Sequence, residues 1–285
     1  MKIQFAAILL LTLLLLAACS TPKRGCSDIR AVNFSFDADE PCSGSVIQGD
    51  CPCVYPKLVF SPSADYTIKT AKGDSIVQWK TDGLLINKVG QKYFLKRYSF
   101  YLSDIRMSDA AGSVFTIADS ISVPVKQTAS DSGTITLLSD IILIGENSGS
   151  ITVGNFLHSG FFRNLGFTFG LEGPQNQANI TSIKMPDSPL NTDTMYLRNE
   201  YRLLGGKFFY ETEAGKSEAL EIRQSKKVNI PIPTDLFFEP ATNLTVKLKI
   251  DFRKFFDEID FEKHSPTQME SLLLENCRAL FSVSK

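Results

Sequence analysis

Apolar and polar residues alternate along much of this chain with a period of two, most plainly near its end. Val246, Leu248, Ile250 and Phe252 are interleaved with Lys247, Lys249, Asp251 and Arg253. That period predicts a strand with one face buried and one in water. Residues 93–107 repeat the pattern with aromatics, setting Tyr98, Phe100 and Leu102 against Ser99, Tyr101 and Ser103. Two apolar bursts over residues 135–144, and Phe161, Phe162, Leu165, Phe167, Phe169 and Leu171 over 161–171, predict further strands. Turn residues punctuate these runs at Gly90, Asp109 to Gly112, Ser130 to Gly133, Gly145 to Gly149, Gly173-Pro174, Gly205-Gly206 and Pro231-Ile232-Pro233. Many short strands at such spacing predict an all-β fold, an antiparallel sandwich or barrel. Two stretches switch to helical spacing. Residues 253–262 carry Phe255, Phe256, Ile259 and Phe261. Residues 266–281 open on Ser265-Pro266, a cap followed by proline in the first turn, and place Met269, Leu272, Leu273, Asn276 and Leu280 near one face. The expected architecture is therefore a sandwich or barrel with one or two short C-terminal helices, with no internal repeat and no linker that divides it.

The first residues follow another pattern. Lys2 precedes an apolar run from Phe5 to Ala18, broken only by Thr12 and ended by Leu16-Ala17-Ala18-Cys19. The run is shorter than the ~20 apolar residues of a membrane span, and Ser20 to Arg24 after it are polar. Small residues before a cysteine, with Leu three positions back, form a bacterial lipobox. Residues 1–18 then read as a lipoprotein signal peptide, Cys19 as the lipidated N-terminus, 19–30 as a tether and 31–285 as the domain. The expected location is the bacterial cell envelope, lipid-anchored at the outer membrane. Acyl chains contribute ~0.8 kcal/mol per buried methylene, so several on one residue hold firmly.

Charge narrows the partners. Thirty basic and 31 acidic residues are spread along the chain for a net charge of −1, so no basic patch points to nucleic acid. Twenty-one Phe against one Trp, with large apolar residues nearly to the end, supply a sizeable core. Beyond the leader, the cysteines are Cys26, Cys42, Cys51, Cys53 and Cys277, four of them crowded among Gly, Ser, Asp and Pro. In an exported chain this crowding reads as disulfide pairing that staples a segment unable to bury a core. A thiolate metal site on Cys51-Pro52-Cys53 is the other reading, although zinc knuckles favour two to four residues between ligands. Either one thiol is left free or Cys277 reaches back to the cluster.

Catalytic motifs are not found: the sequence has no Gly-x-Ser-x-Gly, His-Glu-x-x-His or phosphate-cradling Gly-x-x-x-x-Gly-Lys-Ser/Thr. The chain is expected not to be an enzyme. Its two histidines, His158 before the 161–171 strand and His264 before Pro266, read as surface or hydrogen-bonded residues. Met107, Met185, Met195 and Met269 read as core fillers that could in principle offer thioethers to Cu(I). Asp104 reads as the end of a strand, a weaker pocket candidate that could cap the strand or pair with Lys96 or Arg97 just as readily.

Several segments together carry a resemblance. Tyr98-Ser-Phe-Tyr-Leu-Ser-Asp-Ile-Arg-Met107 resembles the "FY(I/L)S(N/D)I" strand of MbnP-like proteins. Gly166-Phe-Thr-Phe-Gly-Leu-Glu172 resembles that family's next strand. Asp187-Ser-Pro-Leu190, with Met195-Tyr196 and Tyr201, resembles its "PL…M-x-W…GY" stretch, and Gly205 to Phe208 lies near its "LEG". Leu244 to Phe256 and Asn276 to Phe281 resemble the last two, so the resemblance spans residues 31 to 281. It implies an exported β-rich domain, often lipoprotein-borne, in a family named for a copper-binding protein of methanobactin operons. Copper is thus the implied ligand, with Met195, Tyr196, Tyr201 and His158 as candidate ligands. Two departures stand out. Tyr196, Leu197 and Arg198 follow the methionine where the family has tryptophans, and Glu218 to Gln224 lacks the family's histidine. Two functions follow as expectations: a lipid-anchored copper-handling protein, or a lipid-anchored recognition sandwich without the metal. Either could meet an envelope protein partner.

Overall fold

A computed structural model describes residues 22–41, 52–70, 73–78, 83–126, 132–171, 189–190, 196–197, 200–201, 204–211, 217–220 and 227–284. Its contacts divide the chain into two compact units, Met1–Tyr55 and Pro56–Lys285. The boundary falls after the Cys-rich segment, where the sequence reading begins the domain at residue 31.

The first unit is small and cross-linked. Arg24–Gly25 pairs in parallel with Glu40–Pro41, and Cys26 bridges to Phe34. A disulfide joins Cys26 to Cys53, and the Asn33 side chain ties the segments together by donating to the Pro52 carbonyl and accepting from the Val54 amide. A Cβ on Gly25 would sit 2.5 Å from the Ser35 Cβ, so the chain crosses itself there only because the residue is glycine.

The second unit is a β-sandwich, as the alternation predicts. Its organiser is the 17-residue strand Lys92–Ser108. Gly160–Phe169 pairs antiparallel with its later half and Leu204–Glu211 with its earlier half, on the same edge. Leu85–Ile86, Ile142–Gly145 and Val114–Thr116 pair along the opposite edge. Val228–Phe238 and Ser217–Leu220 complete the larger sheet. The smaller sheet runs Ile151–Asn155, Lys57–Ser63, Leu244–Ile250, Phe281–Ser284. Within it Leu244–Ile250 lies parallel to Lys57–Ser63, a pairing between strands far apart in sequence that no local pattern signals.

Between the sheets lies one aromatic core. Val246, Leu248 and Ile250 from the smaller sheet share it with Phe100, Leu102, Phe167 and Phe169 from the larger. Phe281 packs edge-on against Phe167 at 5.1 Å and Phe100 at 5.8 Å, joining the two layers. Burying each such ring contributes roughly 1.5–3 kcal/mol.

The predicted 266–281 helix is present as Pro266–Leu280. Ser265 accepts from the Gln268 amide and the Gln268 side chain returns the bond, a reciprocal cap. It buries Met269, Leu273, Cys277 and Leu280, while Asn276 donates to the carbonyls of Phe255 and Asp257. The predicted 253–262 helix is replaced by a single 3-10 turn, Phe252–Lys254, and a series of i→i+3 turns. Adjacent Phe255 and Phe256 are both buried, along with Ile259 and Phe261, and one helical stripe could not turn all four inward. Glu258 in the left-handed region (φ 63°) interrupts any continuous helix. Among the described residues no helix is long and apolar enough to cross a membrane.

Candidate functional site

Where the family-like segments meet, the long strand is deformed. Gly166 pairs with Arg106 and Thr168 with Ser103, so Asp104 and Ile105 together face a single residue of the neighbouring strand. This is a β-bulge, and Asp104 takes φ 51° within it. Asp and Asn tolerate that conformation better than other side chains with a Cβ, which gives a physical reason for Asn or Asp in the "S(N/D)I" pattern. The bulge frees the Ile105 amide, which donates to the buried Asp140 carboxylate at 3.1 Å. Asp104 itself pairs with Arg106, and it lies within Lys92–Ser108 rather than at a strand end, because the bulge carries the strand on past it.

Tyr101, one residue out of phase with Phe100 and Leu102, points to the opposite face of the sheet. There it forms a second apolar cluster with Val123, Ile141, Leu171 and Leu190. Its hydroxyl donates to the Pro189 carbonyl at 3.1 Å, and the buried Ser103 hydroxyl donates to the Gly170 carbonyl at 2.8 Å. The hairpin Ser120–Lys126/Ser132–Leu138 supplies Ile121, Ile135 and Leu137 around it. Described residues from three segments of the resemblance (Tyr101 and Ser103, Gly170 and Leu171, Pro189 and Leu190) therefore meet in one patch. Sequence reasoning missed Asp140, the acid that holds the bulge. A signal existed, since Asp140 is a lone carboxylate between the two apolar bursts of 135–144.

The expected ligands are distributed as follows. Tyr196 and Tyr201 are register partners in the two-stranded pair Tyr196–Leu197/Glu200–Tyr201. Met195 lies outside the described residues, as do Cys19, Cys42, Cys51, Trp79 and Met185. His158 sits in the loop before Gly160–Phe169, its ring 4.7 Å from that of Phe115 and 5.5 Å from that of Phe156. His264 accepts the Asp260 amide on Nδ1, as a hydrogen-bonded histidine should. Met107 and Met269 are buried in the core. Cys26 and Cys53 are oxidised to each other, so neither offers a thiolate. Cys277, a candidate for disulfide pairing, is a free thiol; the helix turns it fully into the core. Burial pushes that thiol up to about 12 and the Tyr98 hydroxyl likewise to about 12. Among the described residues no three His, Cys, Asp or Glu side chains are grouped so as to hold a metal ion.

Comparison with known proteins adds the family. The MbnP family model matches residues 69–271. Among solved structures, MbnP from Methylosinus trichosporium is similar at 11% identity with a TM-score of 0.42, over 72% of this chain and 78% of that one. No curated protein matches the sequence.

Proposed function

The chain belongs to the MbnP family, and from that footing we propose that it is a lipid-anchored envelope protein that works by binding rather than catalysis. Export and acylation at Cys19 rest on the lipobox; the family domain is what the anchor displays at the membrane surface. In this reading the domain is a recognition module. One observation carries it: the described thiol, thioether and imidazole groups are largely spent on the fold. Cys26 and Cys53 are bonded, Cys277, Met107 and Met269 are core, and the His264 Nδ1 is occupied. Copper handling needs several such donors converging, with open valences.

A second reading is favoured by the strand register that sets Tyr196 opposite Tyr201, Tyr196 following Met195 directly in sequence. Under it the domain carries copper near that hairpin. Titration of the mature chain from Ser20, purified from the periplasm, with Cu(I) and Cu(II) decides between the two. The recognition module shows no stoichiometric binding. Tight one-to-one copper that survives alkylation of free thiols and is lost in Met195→Leu would replace it with the second reading.

A further inference from the structure

The unit next to the proposed anchor carries an apolar ridge that its own small core does not use. Val32, Phe34 and Phe36 alternate with Asn33, Ser35 and Asp37. The polar three are hydrogen-bonded at the surface of the unit: Asn33 to Pro52 and Val54, Ser35 to Asp37, and Asp37 to Lys23. The apolar three are left outside, Phe36 at 92% exposure. Val54 is hydrogen-bonded beside Val32 and also exposed, and Ile29 stands 72% exposed in the preceding turn. Isolated exposed apolar residues are ordinary, but five are gathered here in one small disulfide-bonded unit, where Val32 and Val54 are joined by a backbone hydrogen bond.

The tether places that ridge. Pro22 is three residues from Cys19, which an extended chain spans in roughly 11 Å. Lys23 is laced to the strand just beyond Phe36: its carbonyl accepts from the Asp39 amide at 2.8 Å, and its amide donates to the Asp39 carboxylate at 3.0 Å. Phe36 therefore lies close to where the chain leaves for its lipid. The described cations of this unit are matched one to one, Lys23 with Asp37, Arg24 with Glu40 and Arg30 with Asp28. Little free positive charge is left to seek anionic headgroups.

We infer that Ile29, Val32, Phe34, Phe36 and Val54 seat the Cys26–Cys53 unit in the interface of the same membrane that holds the acyl chains. The occupant of the ridge is a lipid surface, and its attraction is apolar rather than electrostatic. This rests on the lipid-anchor reading above. A ridge seated beside the anchor would give the unit a second foothold on the membrane.

The test uses the full chain, expressed in a bacterium from Met1, with Phe36→Trp introduced over a Trp79→Phe background. It is reconstituted in phosphatidylethanolamine–phosphatidylglycerol vesicles with and without brominated acyl chains. The expected result is flotation with the vesicles, a shift of the indole emission to shorter wavelength and loss of most of that emission to bromine, unchanged in high salt. Ile29→Trp should respond in the same way. Flotation with a water-like, unquenched indole overturns the ridge and leaves the anchor standing. Quenching that requires phosphatidylglycerol and vanishes in salt overturns its apolar character. Failure to float overturns the anchor and the ridge together.

Discussion

Cys277 shows how much one side chain's environment can matter. It looks from sequence like one more cysteine for the N-terminal cluster, yet the helix turns it into a core where its thiolate would have no solvation. Its native pKa, about 12 against an ordinary 9.0, sets a sign for alkaline pH. Above pH 9 the unfolded thiol loses its proton while the native one keeps it, so the folded state binds more protons and stability falls as pH rises toward 12. Tyr98, raised from 10.0 to about 12, acts in the same direction over a narrower window. Each fully differential group costs up to ~1.4 kcal/mol per pH unit inside its window. Denaturant unfolding from neutral pH to about pH 11 should therefore show a declining free energy whose slope, apart from its baseline, is reduced in Cys277→Ala. An unchanged slope would mean that the thiol ionises as freely in the folded chain as in the unfolded one.

At the scale of elements, the strand Lys92–Ser108 carries both clusters because it has a bulge. Without the extra residue at Asp104 the phase of the strand past Ser103 would be reversed, and Ile105 and Met107 would leave the main core in which they are buried. Asp104→Asn should be close to neutral, since Asn takes the left-handed conformation as readily and the ion pair with Arg106 is half-exposed. Asp104→Val should lose roughly 1–3 kcal/mol of unfolding free energy, read as a lower urea midpoint, the cost of a β-branched residue at positive φ. Equal midpoints for the two variants would remove the bulge from the account. The alternation of apolar and polar residues located this strand to within a residue at each end, and Ser265-Pro266 located the helix start. Neither revealed that Tyr101 is buried on the second face, because the residues that cover it, Val123, Leu171 and Leu190, come from other parts of the chain. The 253–262 stretch failed for a related reason. Its aromatic spacing suits a helix locally, but Tyr93 and Tyr210 receive its phenylalanines from several directions, with Tyr93 4.8 Å from Phe256 and 6.1 Å from Phe261, and Tyr210 4.6 Å from Phe261.

For the whole molecule, the two units draw on different sources of stability. Both buried apolar clusters lie within Pro56–Lys285, whereas Met1–Tyr55 relies on a cross-link closing a separation of 27 residues. In the chain-entropy picture such a loop is worth about 3–4 kcal/mol, much of what a segment with so small a core can have. Reduction should therefore raise amide hydrogen exchange across residues 24–41 while leaving the amides of Phe60, Phe100 and Leu248 as protected as before. Loss of protection in both places would show that the sandwich depends on the disulfide. The sequence by itself determined what short-range chemistry can express: the strand period, the turns, the helix cap, and the family pattern. These follow from interactions between residues a few positions apart. Only the tertiary structure decided that Cys26 joins Cys53 while Cys277 stays free, that Leu244–Ile250 lies parallel to Lys57–Ser63, and that Asp140 holds the bulge at Ile105. Each of those outcomes depends on which distant groups arrive within bonding distance, and that is settled by how the layers close around a shared core.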